Sequence, residues 1–325
     1  MSTEENCMLS VENLKVSFHT DEGDVPVLRG LSYALPKGRI LAVVGESGSG
    51  KTVHALSLLR LLPPAAHITG GKVVYQGKDI TQLPEKELKH IRGGKISMIF
   101  QDPSASLNPV LTIGEQLTET ILAHKKITKQ QARQEAVLLL QKVGIREAEK
   151  RLAEYPFQFS GGMCQRVMIA MALALKPDVL IADEPTTALD VTIQAQILRL
   201  MRDLQKESGM SAVFITHNLA VVAGVADEVL VLYGGLCMEQ AEVNDLFNNP
   251  LHPYTQGLLK SLVSVEEKKD TLPAIEGQPP VPGEIGKGCP FAPRCTQASE
   301  KCFEQCPPLS EKANRRVRCW RVEEK

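Results

Sequence analysis

The sequence predicts an α/β fold: a mostly parallel sheet with helices on its faces. Three observations carry that reading. Short apolar runs of strand length, at residues 40–44, 96–100, 179–182, 212–216 and 227–233, alternate with longer helix-like stretches. Gly45-Glu46-Ser47-Gly48-Ser49-Gly50-Lys51-Thr52 fits the phosphate-loop pattern G-x-x-x-x-G-K-[ST] and lies between a strand run and a helix run, the context this motif requires. Gln101, Asp183, Glu184 and His217 each follow a predicted strand, so they can converge with the loop at the carboxyl ends of the sheet, where open α/β sheets bind ligands.

Residues 8–18 alternate like a strand and end at Phe18, an aromatic that either joins the core or stacks on a base. Residues 25–35 read as a second strand closed by the turn Pro36-Lys37-Gly38, and residues 53–62 as a helix stopped by Pro63-Pro64. A short strand follows at 70–80, with a turn at 76–79. Pro103 and Pro109 break regular structure after Gln101. Residues 113–123 are helical. Residues 128–143 form an amphipathic helix that Thr128 caps, with Gln131 at the capping-box position and Gly144 at its stop. This polar, helical character predicts an insertion over roughly residues 102–165. Phe159-Ser160-Gly161-Gly162-Met163 opens a helix that Pro177 ends, and residues 192–207 form another, followed by Gly209.

A chain of 325 residues with 43% apolar content can build two domains, or one large domain with an appendage. A net charge of −1 gives no bulk attraction to nucleic acid or anionic lipid. The longest apolar run, 167–175, falls short of the roughly 18–20 residues of a membrane span. The polar start, Thr3-Glu4-Glu5-Asn6, is unlike a secretory signal, so the expectation is a cytosolic protein that meets a membrane through partners. Near residue 265 the composition changes. A charge run at 266–270 precedes prolines at 273, 279, 280 and 282, and then Cys289, Cys295, Cys302, Cys306 and Cys319 crowd the last 40 residues. The expected organisation is a nucleotide-binding domain over 1–265 and a proline- and cysteine-rich region over 266–325.

The chemistry follows from the residue types. Glycines at positions 45, 48 and 50 let the backbone N–H groups curl around an anion, with the positive end of the next helix behind them. Lys51 reaches the β- and γ-phosphates, and Thr52 holds Mg²⁺. Asp183, after four apolar residues, is an acid placed to hold Mg²⁺, and Glu184 is the candidate to orient or deprotonate the attacking water. Gln101 is the candidate to sense both Mg²⁺ and the γ-phosphate and His217 to contact that phosphate; a lone Gln or His is more often structural, so these two roles rest on the whole set. Ser160, Gly161 and Gly162 form a second anion site at a helix start, one that hints at another subunit's nucleotide. In a cytosolic chain the clustered cysteines suggest metal before disulfides. Four thiolates suit either [4Fe–4S] or zinc.

In this set the chain resembles the ATP-binding subunits of ABC transporters over about residues 8–265. The resemblance makes Gly45 to Thr52 the Walker A, Gln101 the Q-loop and Phe159 to Met163 the signature, with Phe159 and Met163 departing from its usual LSGGQ. Residues 179–184 are then the Walker B, Ala188-Leu189-Asp190 the D-loop and His217 the H-loop. Phe18 falls at the aromatic that stacks on adenine, and Asn218 stands where Asp is common. A narrower resemblance, to the dipeptide/oligopeptide importer ATPases, rests on Phe100-Gln101-Asp102-Pro103, Ser106-Leu107-Asn108-Pro109, Asp183 to Gln196, His252-Pro253-Tyr254-Thr255 and the tail from Gly288 to Cys319. Nickel importers share much of this pattern. The resemblance implies an ABC-type P-loop ATPase core with an antiparallel β part, ATP and Mg²⁺ as ligands, and a [4Fe–4S] cluster on Cys289, Cys295, Cys302 and Cys319, with Zn²⁺ as the alternative. It further implies a paralogous or identical second ATPase subunit, two membrane permeases, an external solute-binding protein, and a peripheral place on the cytoplasmic face of the membrane. A soluble ABC ATPase acting on nucleic acid or ribosomes fits less well: there is one set of motifs, no sustained heptad and no net positive charge. Intact Lys51, Glu184 and His217 argue against an inactive regulatory module.

Overall fold

The computed structural model describes residues 7–187, 189–261, 275–312 and 314–323. The charge run at 266–270, Pro273, the boundary read at 265/266, Ala188 of the expected D-loop and the polar start at residues 3–6 lie outside the described residues. The chain forms two compact units, Met1–Leu35 with Arg39–Thr81 and Phe214–Lys325, and Pro36–Gly38 with Gln82–Val213.

The first unit holds a four-stranded sheet in the order Gly23–Pro36, Cys7–Thr20, Ala66–Tyr75, Lys78–Asp79. Cys7–Thr20 runs antiparallel to Ala66–Tyr75, which pairs antiparallel with Lys78–Asp79. A second run of strands has the order Ser310–Lys312, Arg315–Val317, Leu236–Glu242, Glu228–Tyr233, Ile40–Val44. Ile40–Val44 and Glu228–Tyr233 are parallel, in register at Val44 and Val231. All five residues of Ile40–Val44 are buried, as expected of a strand covered on both faces. The Asp227 carboxylate fixes its start, accepting from the Ile40 N–H at 2.7 Å. The remaining pairs in this run are antiparallel.

The second unit holds Ile96–Ile99 and Val179–Asp183 as a parallel pair and the long helices Ile113–Leu122, Lys129–Lys142, Gly161–Leu173 and Val191–Ser208. Their facing sides are apolar, with Leu117, Ile121, Ala132, Ala136, Leu140, Val167 and Ile169 each at 0% exposure. Burial of this kind contributes roughly 25 cal/mol per Å² of apolar surface. Two capping boxes, Thr112 with Glu115 and Thr128 with Gln131, start the first two helices. The chain passes back to the first unit within the strand Ser211–Thr216.

Three local differences from the sequence reading have physical causes. The helix after the phosphate loop spans Lys51–Leu58 rather than 53–62, because Arg60 turns into the left-handed region at φ 53° before Pro63 is reached. The strand expected at 70–80 begins earlier, at Ala66, and is broken by a turn at Gln76-Gly77, both at positive φ. The strand Leu236–Glu242 was not anticipated. It returns antiparallel from Tyr233 through Gly234-Gly235, with φ of 53° and 74°, the two-residue turn whose twist matches a hairpin. Among the described residues no helix is long and apolar enough to cross a membrane.

Candidate functional site

In the first unit the buried strand Ile40–Val44 delivers the chain into the loop at Gly45. A Cβ at Gly45 would lie 2.2 Å from the Leu232 carbonyl oxygen and 2.7 Å from Ser49 Oγ, so only glycine lets the loop leave the sheet here. Gly50 caps the helix that follows, and Lys51 is its first residue. The Lys51 ammonium folds back over the loop, donating to the carbonyls of Gly45 at 2.8 Å and Glu46 at 3.0 Å. Ser49 Oγ is buried without a hydrogen-bond partner. Ser47, Gly48 and Thr52 are exposed. A buried orphan hydroxyl, a folded-back cation and a loop with glycine at positions 45, 48 and 50 suit a phosphate anion. Phe18 is half-buried on Cys7–Thr20, its backbone opposite Ala66. His217 is exposed directly after Ser211–Thr216, and Asn218 beside it caps the next helix through the Ala220 N–H at 3.0 Å.

Two further contacts with the loop come from far along the chain. Tyr254, 0% exposed, accepts the Glu46 N–H on its hydroxyl at 3.0 Å. His252 Nδ1 accepts the Tyr254 N–H at 3.0 Å, and burial pushes the pKa of that imidazole down to about 3, so it stays neutral. Arg294 forms a two-pronged ion pair with the Glu46 carboxylate. Tyr254 lies in the motif His252 to Thr255 and Arg294 in the tail from Gly288 to Cys319, but neither pattern says that the residue meets the loop.

In the second unit Asp183 ends a fully buried strand and is itself 2% exposed. Glu184 follows in the left-handed region at φ 44°, a conformation that costs a non-glycine residue of order 1–3 kcal/mol and that recurs at functional sites. Its Oε2 accepts from Gln101 Nε2 at 3.2 Å and from Thr187 Oγ1 at 2.9 Å. The structure therefore brings Gln101 and Glu184 together. Ser160 caps Gly161–Leu173, its Oγ accepting the Met163 N–H at 3.4 Å. Ser160, Gly161, Gly162 and Met163 line a cleft of about 630 Å³ with Arg146 and Arg166, two cations that pattern reading passed over. Asp190 borders the same cleft and caps Val191–Ser208, its Oδ1 accepting from the N–H groups of Thr192 and Ile193 at 3.0 Å each. Thr52, Gln101 and Asp183 offer hard oxygen donors, the chemistry Mg²⁺ selects.

Cys302 lies near enough to Cys289, Cys295 and Cys319 to act on each of them. Burial pushes the Cys289 thiol up to about 12, and Cys302, Cys306 and Cys319 add to the shift. Cys295 and Cys319 are raised by burial first and by neighbouring thiols after it. The Cys289 N–H donates to the Cys302 carbonyl at 2.7 Å. Even so, among the described residues no group of three or more His, Cys, Asp or Glu side chains is set to hold a metal ion.

Two family models match the chain: one described as ABC transporter over residues 28–187, and one described as Oligopeptide/dipeptide transporter, C-terminal region, over 238–302. The oligopeptide transport ATP-binding protein AppD of Bacillus subtilis is 50% identical over 98% of this chain and 97% of its own length. The dipeptide transport ATP-binding protein DppD of the same organism is 49% identical over 96% and 94%, and the oligopeptide transport ATP-binding protein OppD of Escherichia coli 48% over 98% and 95%. Among solved structures, the ATP-binding cassette MJ0796 in a dimeric post-hydrolysis state bound to ADP and Pi superposes with a TM-score of 0.66 at 27% identity, covering 73% of this chain and 99% of that one.

Proposed function

The chain belongs to the ABC transporter family, among its oligopeptide and dipeptide transport ATP-binding proteins, and from that membership we propose that it is the ATP-hydrolysing subunit that powers import of dipeptides or oligopeptides. The observation that carries this reading is the half-identity to peptide-transport subunits along almost the whole chain, through the C-terminal region as well as the ATP-binding part.

The loop from Gly45 to Thr52 takes the ATP phosphates on its N–H groups, with Ser49 Oγ as a waiting partner. Lys51 exchanges loop carbonyls for phosphate oxygens. Phe18 stacks on adenine. Thr52, Gln101 and Asp183 would hold Mg²⁺, which would neutralise charge on the phosphates. Glu184, aimed by Gln101 and Thr187, accepts a proton from the water that attacks the γ-phosphorus, and ADP leaves. His217 contacts the γ-phosphate. Ser160, Gly161, Gly162 and Met163, with Asp190 beside them, close on the nucleotide of a second ATPase subunit, paralogous or identical. ATP binds this closed dimer better than the open one and so shifts the population. Two permeases, docked near Gln101 to Pro109 and supplied by an external solute-binding protein, follow that shift, and the subunit sits peripherally on the cytoplasmic face of the membrane. Cys289, Cys295, Cys302 and Cys319 are assigned to a [4Fe–4S] cluster, with Zn²⁺ as the alternative. Burial raises the thiols of Cys289, Cys295 and Cys319, a cost that a bound cation would offset, although as placed the four cysteines do not close a ligand shell. The role of that group is a brace, and no step of hydrolysis passes through it.

Glu184→Gln tests the reading. Phosphate release should fall by about 10²–10⁴-fold with ATP binding retained. Uptake of a labelled dipeptide and a longer peptide in the native host should fall with it, while nickel uptake should not. Equal ATPase rates would sink the role of Glu184, and loss of nickel uptake alone would replace the peptide substrate.

A further inference from the structure

The phosphate loop carries a carboxylate of its own, Glu46, next to the place where a polyanion binds. An uncompensated negative charge there lies well within a Debye length of the nucleotide and weakens its binding. The fold answers that charge from 248 residues away in sequence. Arg294, in the cysteine-bearing segment one residue before Cys295, is 6% exposed at its side chain and grips Glu46 with both terminal nitrogens. Its other bonds leave the guanidinium little freedom. Nη1 donates to Tyr233 Oη at 3.1 Å, Nη2 to the Ile275 carbonyl at 3.1 Å and Nε to the Glu276 carbonyl at 2.8 Å. A planar fork held at every donor is a rigid clamp, which a lysine would not reproduce.

The backbone of the same loop residue is fixed separately. The Glu46 N–H is committed to Tyr254, whose ring lies 4.5 Å from that of Tyr233 and 5.2 Å from that of Phe291. Phe291 belongs to the cysteine-bearing segment and is 3% exposed. Both the charge and the backbone direction of Glu46 are thus set by residues beyond position 250.

We propose that Arg294 is a positioning residue for the phosphate loop: by neutralising and pinning Glu46 it sets the affinity for ATP, so the cysteine-bearing segment controls nucleotide binding through this one ion pair. The proposal rests on the reading of Gly45 to Thr52 as the ATP loop. A parent chain that does not bind ATP removes that reading, whereas a parent that binds and an indifferent Arg294 variant remove this inference alone.

The test titrates the full chain with a fluorescent ATP analogue and measures KM and kcat for ATP. Arg294→Gln should raise Kd and KM about tenfold with kcat within about twofold of the parent, because the added negative field opposes binding rather than chemistry. Arg294→Lys, which keeps the cation, should raise them less. Adding Glu46→Gln to Arg294→Gln should recover about threefold or more, since it removes the carboxylate left bare. A Kd in Arg294→Gln within about twofold of the parent, or a loss that Glu46→Gln does not relieve, overturns the proposal. If Arg294→Gln does not fold, Arg294→Lys is compared with and without Glu46→Gln, and a Kd unchanged in both overturns it.

Discussion

His54 and His252 show how burial fixes a protonation state. His54 is 0% exposed, with Nε2 bonded to Tyr33 Oη at 2.8 Å and Nδ1 without a hydrogen-bond partner. Burial pushes both imidazoles down to about 3 from the usual 6.5. Between those values the unfolded chain binds protons that the folded chain refuses, so stability rises with pH across the window. The contribution is intact above pH 6.5 and is lost as pH falls toward 3. At pH 5 each histidine costs about 2 kcal/mol relative to pH 7. Urea unfolding between pH 7 and 5 should show this slope, and His54→Gln should remove about half of it. A flat profile over that interval would mean the imidazoles are not held neutral. Glu184 makes a related point: its acidity and its place after an apolar strand are visible in sequence, but its left-handed backbone and its bond to Gln101 are not.

At the scale of elements, the helix Lys129–Lys142 depends on how it starts. It buries Ala132, Ala136 and Leu140, one narrow stripe at a spacing of four, so little apolar area fixes it. The Thr128–Gln131 box satisfies two N–H groups at its first turn, at 3.2 Å and 2.9 Å. Thr128→Ala should destabilise the second unit by about 1 kcal/mol and speed amide exchange first over residues 129–142. Exchange unchanged in that helix would show that packing alone holds it. Period and cap signals found this helix because both act over a few residues. The box at Thr112 and Glu115 carries the same S/T-x-x-E spacing and could have been read the same way. The antiparallel strand Leu236–Glu242 was legible only in its turn, Gly234-Gly235 after an apolar run.

At the scale of the molecule, the residues after 275 are woven into the first unit rather than appended to it. Arg315–Val317 pairs with Leu236–Glu242, and Arg318 Nε donates to the Cys237 carbonyl at 3.0 Å. The four proposed ligand cysteines fall within this stretch. Anaerobically purified protein should absorb broadly near ~400 nm and contain iron and sulfide, and Cys302→Ser should abolish that absorbance. Zinc without absorbance would replace the cluster, and no metal at all would remove the assignment. By itself the sequence determined the α/β class, most strand and helix positions and the phosphate-loop motif, because alternation, helical period and glycine spacing are local properties of the chain. Only the tertiary structure decided that Glu46 meets Arg294 and Tyr254, that Gln101 meets Glu184, and that Cys302 lies beside Cys289, Cys295 and Cys319. Such pairs are set by how buried surfaces of distant segments pack, and no pattern of neighbouring residues records that choice.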